Sequence, residues 1–298
     1  MTTMKPTLLI GDMRYWRMQP DARLRPWIHC YFLVEPGPEE NRRTSYLSEA
    51  LELLIPDGHS EIIFNFGGAY ERWHVNDSGR ASVMHSSYVI GGRSQSVLTR
   101  NVEKVRLAGV KLDPRALQAL LSVPLDKFAD STLTLADLND RSLLELEDSL
   151  AAANSAAIVK NKLDLYFLRV LGKPSSTHNA VVHLMHDIHR TRGALPIMQW
   201  ARTHKLDSRT LERNFSASLG MTPKRYARVI RFKHSYHHLI SARHVGAAGA
   251  HLDGFYDQSH FNREFRYFTG TAPNAKLTGK MSSGTSISDH LLEGELRR

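Results

Sequence analysis

The sequence predicts an α+β chain. It should form a small N-terminal β-sandwich or barrel with trailing helices, then an all-α region of two similar helical units joined by a long helix. Three observations carry this expectation. Apolar runs rich in β-formers recur between about residues 7 and 112. At Asp113-Pro114 the apolar spacing changes to that of a helix. The last third repeats itself: Asp207, Leu211, Arg213, Phe215, Gly220 and Pro223 recur at the same intervals as Asp257, Phe261, Arg263, Phe265, Gly270 and Pro273. A length of 298 residues also suits two domains.

In the N-terminal half, Trp27 to Val34 is an apolar run of β-formers, and Glu61 to Phe66 ends at the turn signal Gly67-Gly68. Tyr88-Val89-Ile90 stops at Gly91-Gly92, and Val105 to Leu112 follows. Strands at this spacing suit a small antiparallel sandwich or barrel. Asp113-Pro114 then supplies a helix N-cap and first position, and Ala116, Leu117, Leu120 and Leu121 keep helical spacing. Leu135 to Leu150 and Ala156 to Leu171 are two more helical stretches. The second sets Ile158, Leu165, Leu168 and Leu171 near one side, which suits a dimer contact or packing on its own domain. Gly172 to Ser176 is a linker composition. The expected organisation is a regulatory or dimerisation domain over 1–172, a linker at 173–177, a second domain over 178–280 and a disordered tail over 281–298.

Each copy of the repeat describes a capped amphipathic helix. Asp207 and Asp257 can accept from free first-turn N–H groups, and their charge suits the helix dipole. Gly220 and Gly270 fit the left-handed position that closes a helix, and Pro223 and Pro273 cannot continue it. At about 100° per residue, Leu211, Phe215 and Ser218 share one face and Arg209, Arg213 and Ser216 the other. In the second copy Phe261, Phe265 and Phe268 face inward, and Ser259, Arg263 and Arg266 outward. A shorter apolar helix precedes each: Leu195 to Ala201, and Arg243 to Leu252. Helix, short turn, helix is the arrangement whose second helix enters the major groove of DNA. Pro223 to Ser241 reads as one long basic helix between the units.

Charge points the same way. Lys and Arg equal Asp and Glu at 21 each over residues 1–174, but outnumber them 16 to 6 over 175–280. The net charge of +9 therefore resides in the repeat-bearing segment, the footprint expected of phosphate binding.

Residues from about 178 to 280 resemble the DNA-binding domain of the AraC/XylS family of bacterial transcription regulators. The stretches LDSRTLERNFSASLGMTPKRYARVIRF (206–232) and GFYDQSHFNREFRYFTGTAP (254–273) carry the likeness. It implies two recognition helices in successive major grooves, with Arg209, Glu212 and Arg213 as base readers in the first unit and Gln258, Ser259, Asn262 and Arg263 in the second. Gly246 and Gly249 depart from the family, standing where bulky apolar residues are usual; each costs about 1 kcal/mol in a helix relative to Ala. The second unit is therefore expected to be the looser. More loosely, Ile55 to Asn65 and Ala108 to Leu117 resemble an uncharacterised β-rich domain found before some AraC-type domains.

Chemistry is sparse in the N-terminal half. His59 and Glu61 share a strand face and could ligate a metal with His74 or His85, but without a close-spaced Cys/His set no metal site is expected. An inner pocket of His59, Glu61, Trp73 and Arg93 could hold a small polar effector; equally, Trp27, Phe32, Phe64 and Phe66 could simply fill a barrel core. Gly67-Gly68 and Gly91-Gly92 lack the Lys-Ser/Thr of a phosphate loop, and no catalytic set or cofactor motif is visible. The single cysteine, Cys30, in an apolar run, excludes an internal disulfide and suits a reducing compartment. The N-terminus lacks a signal-peptide core and no stretch is apolar enough to span a membrane. The expectation is a cytoplasmic, sequence-specific DNA-binding transcription regulator with no catalytic residues. Its partners would be double-stranded DNA, RNA polymerase if it activates, a small-molecule effector and a second copy of itself. The alternatives are an enzyme of DNA repair type or one acting on a small molecule, carrying the same module, and an architectural protein without sequence preference.

Overall fold

The computed structural model describes residues 4–10, 13–37, 52–77, 81–121, 124–171, 179–245, 255 and 257–273. The linker expected at 173–177, the tail at 281–298, and Gly246 and Gly249 lie outside these.

The strands are β1 (Leu8–Ile10), β2 (Met13–Met18), β3 (Ile28–Pro36), β4 (Glu52–Leu54), β5 (Ser60–Gly67), β6 (Tyr70–His74), β7 (Ser82–Met84), β8 (Tyr88–Ile90), β9 (Val97–Asn101), β10 (Arg106–Leu112) and β11 (Thr132–Thr134). They form two antiparallel sheets, ordered β1-β2-β3-β10-β5-β8-β11 and β4-β9-β6-β7. Because side chains alternate along a strand, the larger sheet has two unlike faces. Tyr31, Leu33, Ile62, Phe64, Val89, Ala108 and Val110 pack against helices. Cys30, Phe32, Val34, Ile63, Tyr88 and Ile90 face the smaller sheet. Cys30 is thus a fully buried apolar group.

The trailing helices are α1 (Pro114–Leu121), α2 (Leu135–Leu138), α3 (Arg141–Ala151) and α4 (Ala156–Leu171). The single helix expected over Leu135 to Leu150 is two. Asn139 turns left-handed at φ 50°, and Asp140 restarts the chain by accepting from the amides of Ser142 and Leu143 at 2.9 and 3.1 Å. The inner face of α4 also differs from expectation. Val159, Leu163, Tyr166 and Phe167 are buried, whereas Leu165 is 71% exposed. Phe167 stacks on Tyr31 and Asp164 accepts from the Tyr31 hydroxyl at 3.1 Å, so α4 is anchored to its own sheet.

The C-terminal helices are α5 (Asn179–Arg190), α6 (Ile197–Thr203), α7 (Ser208–Leu219), α8 (Pro223–Val245) and α9 (Gln258–Thr269). The break expected before Arg243 is absent: α8 runs on through Val245. Nothing between Ser241 and Val245 stops a helix. The rest of the helix expected over Arg243 to Leu252 lies outside the described residues. Among the described residues no helix is long and apolar enough to cross a membrane.

Candidate nucleic-acid interface

Helices α6 and α7 form the first helix-turn-helix. Their turn passes through Lys205 in the left-handed region at φ 54°, where the Leu206 amide closes on the Ala201 carbonyl at 2.9 Å. Asp207 caps α7 by accepting from the Thr210 amide at 2.8 Å, an interaction that holds its carboxyl below the usual range. Gly220, at φ 75°, closes the helix. Leu211, Phe215 and Ser218 are buried, and Arg209, Glu212 and Arg213 are exposed.

Helix α9 repeats this geometry. Asp257 accepts from the His260 amide at 2.7 Å, and Gly270 closes the helix at φ 73°. Phe261, Phe265 and Phe268 are buried, and Gln258, Ser259, Asn262 and Arg263 are exposed. Among the described residues no carboxylate forms an ion pair with Arg209, Arg213 or Arg263.

The second head leans on α8. Phe268 stacks on Phe232 with centroids 4.2 Å apart, and Phe265 packs between Phe261, Phe232 and Tyr236. Arg228 grips Glu264 through two bonds of 2.7 and 2.9 Å and lies 3.9 Å over the Tyr267 ring. Aromatic residues of the connecting helix thus brace α9.

The β-domain touches both heads. Arg225, just past α7, pairs with Asp130 at 2.9 Å, and Asp130 also accepts from Ser94. Asn76 donates to the Tyr267 carbonyl at 2.8 Å. Ile55 joins the C-terminal core, and Gly58 packs so closely on α8 that a Cβ there would sit 2.9 Å from Ile230 Cδ1. On α5, His189 bonds the Tyr226 hydroxyl at 2.8 Å; burial, then the nearby Lys233, His59 and His234, lower its pKa to about 3. None of these contacts covers the exposed side chains of α7 or α9.

Between the two sheets lies a cavity of about 130 Å³. Glu61 and Arg93 line it and pair at 2.7 Å. His59 and Trp73 do not line it: Trp73 is on the opposite side of β6 from the lining residues Tyr70 and Arg72, and His59 packs against His29 with tilted rings whose centroids are 4.7 Å apart. Tyr70, Arg72 and Tyr88 are wall residues that the sequence did not single out. Among the described residues no three His, Cys, Asp or Glu are grouped to hold a metal.

The helix-turn-helix domain family matches residues 200–278, and a domain of unknown function, DUF6597, matches residues 16–134. No curated protein matches the sequence. Among solved structures, ToxT from Vibrio cholerae is similar with a TM-score of 0.42 and 13% identity, covering 78% of this chain and 95% of that one. Unsaturated fatty acid-bound wild-type ToxT gives 0.41 and 14%, over 80% and 96% of the two chains. The AraC-like transcriptional activator CuxR gives 0.25 and 12%, over 76% and 87%.

Proposed function

We propose that this chain is a DNA-binding transcription regulator of the AraC type, supported by its helix-turn-helix domain, and that it reads an operator through α7 and α9 in successive major grooves. One observation carries this reading: two equally capped helices each present an exposed Arg, without an ion-paired carboxylate among the described residues, on a face that the rest of the described structure leaves open. Arg209, Arg213 and Arg263 would contact guanine, since a guanidinium pairs bidentately with O6 and N7. Glu212, Gln258, Ser259 and Asn262 would contribute further base contacts, and Lys224, exposed at the start of α8, would neutralise a phosphate.

The N-terminal domain is read as the sensor. Ile55 and Asp57 line its cavity, while Ile55 and Gly58 of the same segment pack on the C-terminal core and α8. A guest in the cavity would press on the segment that touches the connecting helix. A cytoplasmic location, a second copy as partner, and RNA polymerase as the target of activation complete the reading.

Footprinting on genomic fragments selected by the purified protein tests it. Two protected half-sites about one helical turn apart are expected. Arg213→Ala and Arg263→Ala should each weaken binding by about 5- to 150-fold, equivalent to ~1–3 kcal/mol, and relax sequence preference in one half-site only. Unchanged affinity and footprint in both variants would remove these helices as readers.

A further inference from the structure

We propose that the cavity between the sheets is a binding site for a small organic oxyanion, with the guanidinium of Arg72 as its principal anchor and Arg93 beside it. This deepens the sensing role given above to the N-terminal domain and rests on it.

Arg72 lies on β6, an interior strand of the smaller sheet, and is only 8% exposed. Its Nε and Nη2 are buried without a hydrogen-bond partner, and among the described residues no carboxylate forms an ion pair with it. Arg93 is 4% exposed; it gives Nη2 to Glu61 but leaves Nη1 unpartnered. Of the other charges on the wall, Lys111 pairs with Asp57, and Glu52 has an interaction of its own. One guanidinium fork and one arm of a second therefore lack hydrogen-bond acceptors in a part-enclosed space between the sheets.

That arrangement is costly, because the buried guanidinium has lost its hydration at two nitrogens and gains in return only a contact 6.0 Å from the Tyr88 ring centroid and the field of Glu61. Burial accordingly depresses the pKa of Arg72. A carboxylate or phosphate head would accept the two free N–H groups in the forked geometry for which guanidinium is suited. The paired hydroxyls of Tyr70 and Tyr88 stand next to the head-group position, and Phe32, Ile63, Ile90 and Leu107 wall the remainder. The cavity of about 130 Å³ is close to the ~150 Å³ that accepts a benzene-sized guest, so the body of the ligand is a single ring or a short branched chain.

The test is thermal unfolding of the full chain with three probes that share a ring and differ in the head: cyclohexanecarboxylate, cyclohexyl phosphate and neutral cyclohexanecarboxamide, each at millimolar concentration. At least one anion should raise Tm in proportion to the logarithm of its concentration, and the amide should not; which anion acts separates carboxylate from phosphate recognition. Arg72→Met should abolish the response and, without probe, melt about 2–4 °C higher, because it replaces an unpaired buried charge by an apolar chain of similar length. Arg72→Lys, which keeps the charge and loses the fork, should reduce the response. Equal shifts with the amide, an unaltered response in Arg72→Met, or no response to either anion in the wild type would overturn the proposal. Footprinting of the wild type separates the two readings: an intact operator footprint without an anion response overturns this site and leaves the DNA reading standing.

Discussion

Removing the Phe265 ring should release the second reading head and spare the first. Phe265 is fully buried at the centre of the α8–α9 contact, its ring centroid 5.7 Å from Phe261, 6.0 Å from Phe232 and 6.2 Å from Tyr236. Truncating such a phenylalanine to Ala costs about 3–5 kcal/mol, from lost burial and the cavity left behind. Local opening of one helix takes less free energy than global unfolding, itself about 5–15 kcal/mol, so a loss of this size removes most of what docks α9. Helix α7 is held elsewhere, with Phe215 edge-on to Tyr226 at 5.6 Å. In Phe265→Ala, native-state hydrogen exchange should therefore lose about a hundred- to several-thousand-fold protection in α9 while α7 keeps its own, and the DNA footprint should shrink to one half-site. Equal loss of protection in α7 and α9 would refute the reasoning, since it would make the two heads one cooperative unit. Unchanged α9 protection would refute the assignment of Phe265 as its anchor.

Two further outcomes follow from the backbone and the buried histidine. Folded His189 has its pKa lowered to about 3 by burial and neighbouring cations, whereas in the unfolded chain it binds a proton below about 6.5. Its contribution is complete above that value and is lost as pH falls toward 3, so between pH 7.5 and 5 the wild type should lose about 2 kcal/mol more than His189→Gln in urea unfolding; equal losses would show that this histidine is not responsible. Lys205 holds a left-handed turn that costs a side-chain-bearing residue about 1–2 kcal/mol. Glycine relieves this but loses more entropy on folding, leaving Lys205→Gly about 0.5–1 kcal/mol more stable by denaturant midpoint, with a destabilised variant ruling out strain at the turn.

Helices α7 and α9 were legible because their signals are local. A cap three residues before the amide it receives, an apolar spacing of three and four, and a glycine past the last turn all act within one helix. Where sequence reading went astray, the deciding information was spread across the fold. Leu165 has the spacing of an inner residue, yet the sheet is approached by Leu163 and Phe167 instead. Asn139 divided a stretch that periodicity alone would join. Of the four residues first grouped into an effector pocket, Glu61 and Arg93 meet at the cavity, because β5 and the segment after β8 converge there. Arg72 carried no signal, since a lone Arg between Glu71 and Trp73 on a short strand looks solvent-facing until a second sheet is laid over it.

By itself, then, the sequence determined that this chain has two capped, Arg-bearing helices in a basic domain behind a β-rich one. Those features depend on hydrogen bonds and periodicities no longer than a few residues. Only the tertiary structure decided that α8 braces the second head with its own aromatic residues, that the segment Ile55–Gly58 joins the cavity to the connecting helix, and that Arg72 is buried without an ion-paired carboxylate among the described residues. Each of these is a contact between segments far apart in the chain, where packing and the cost of burying charge set the outcome.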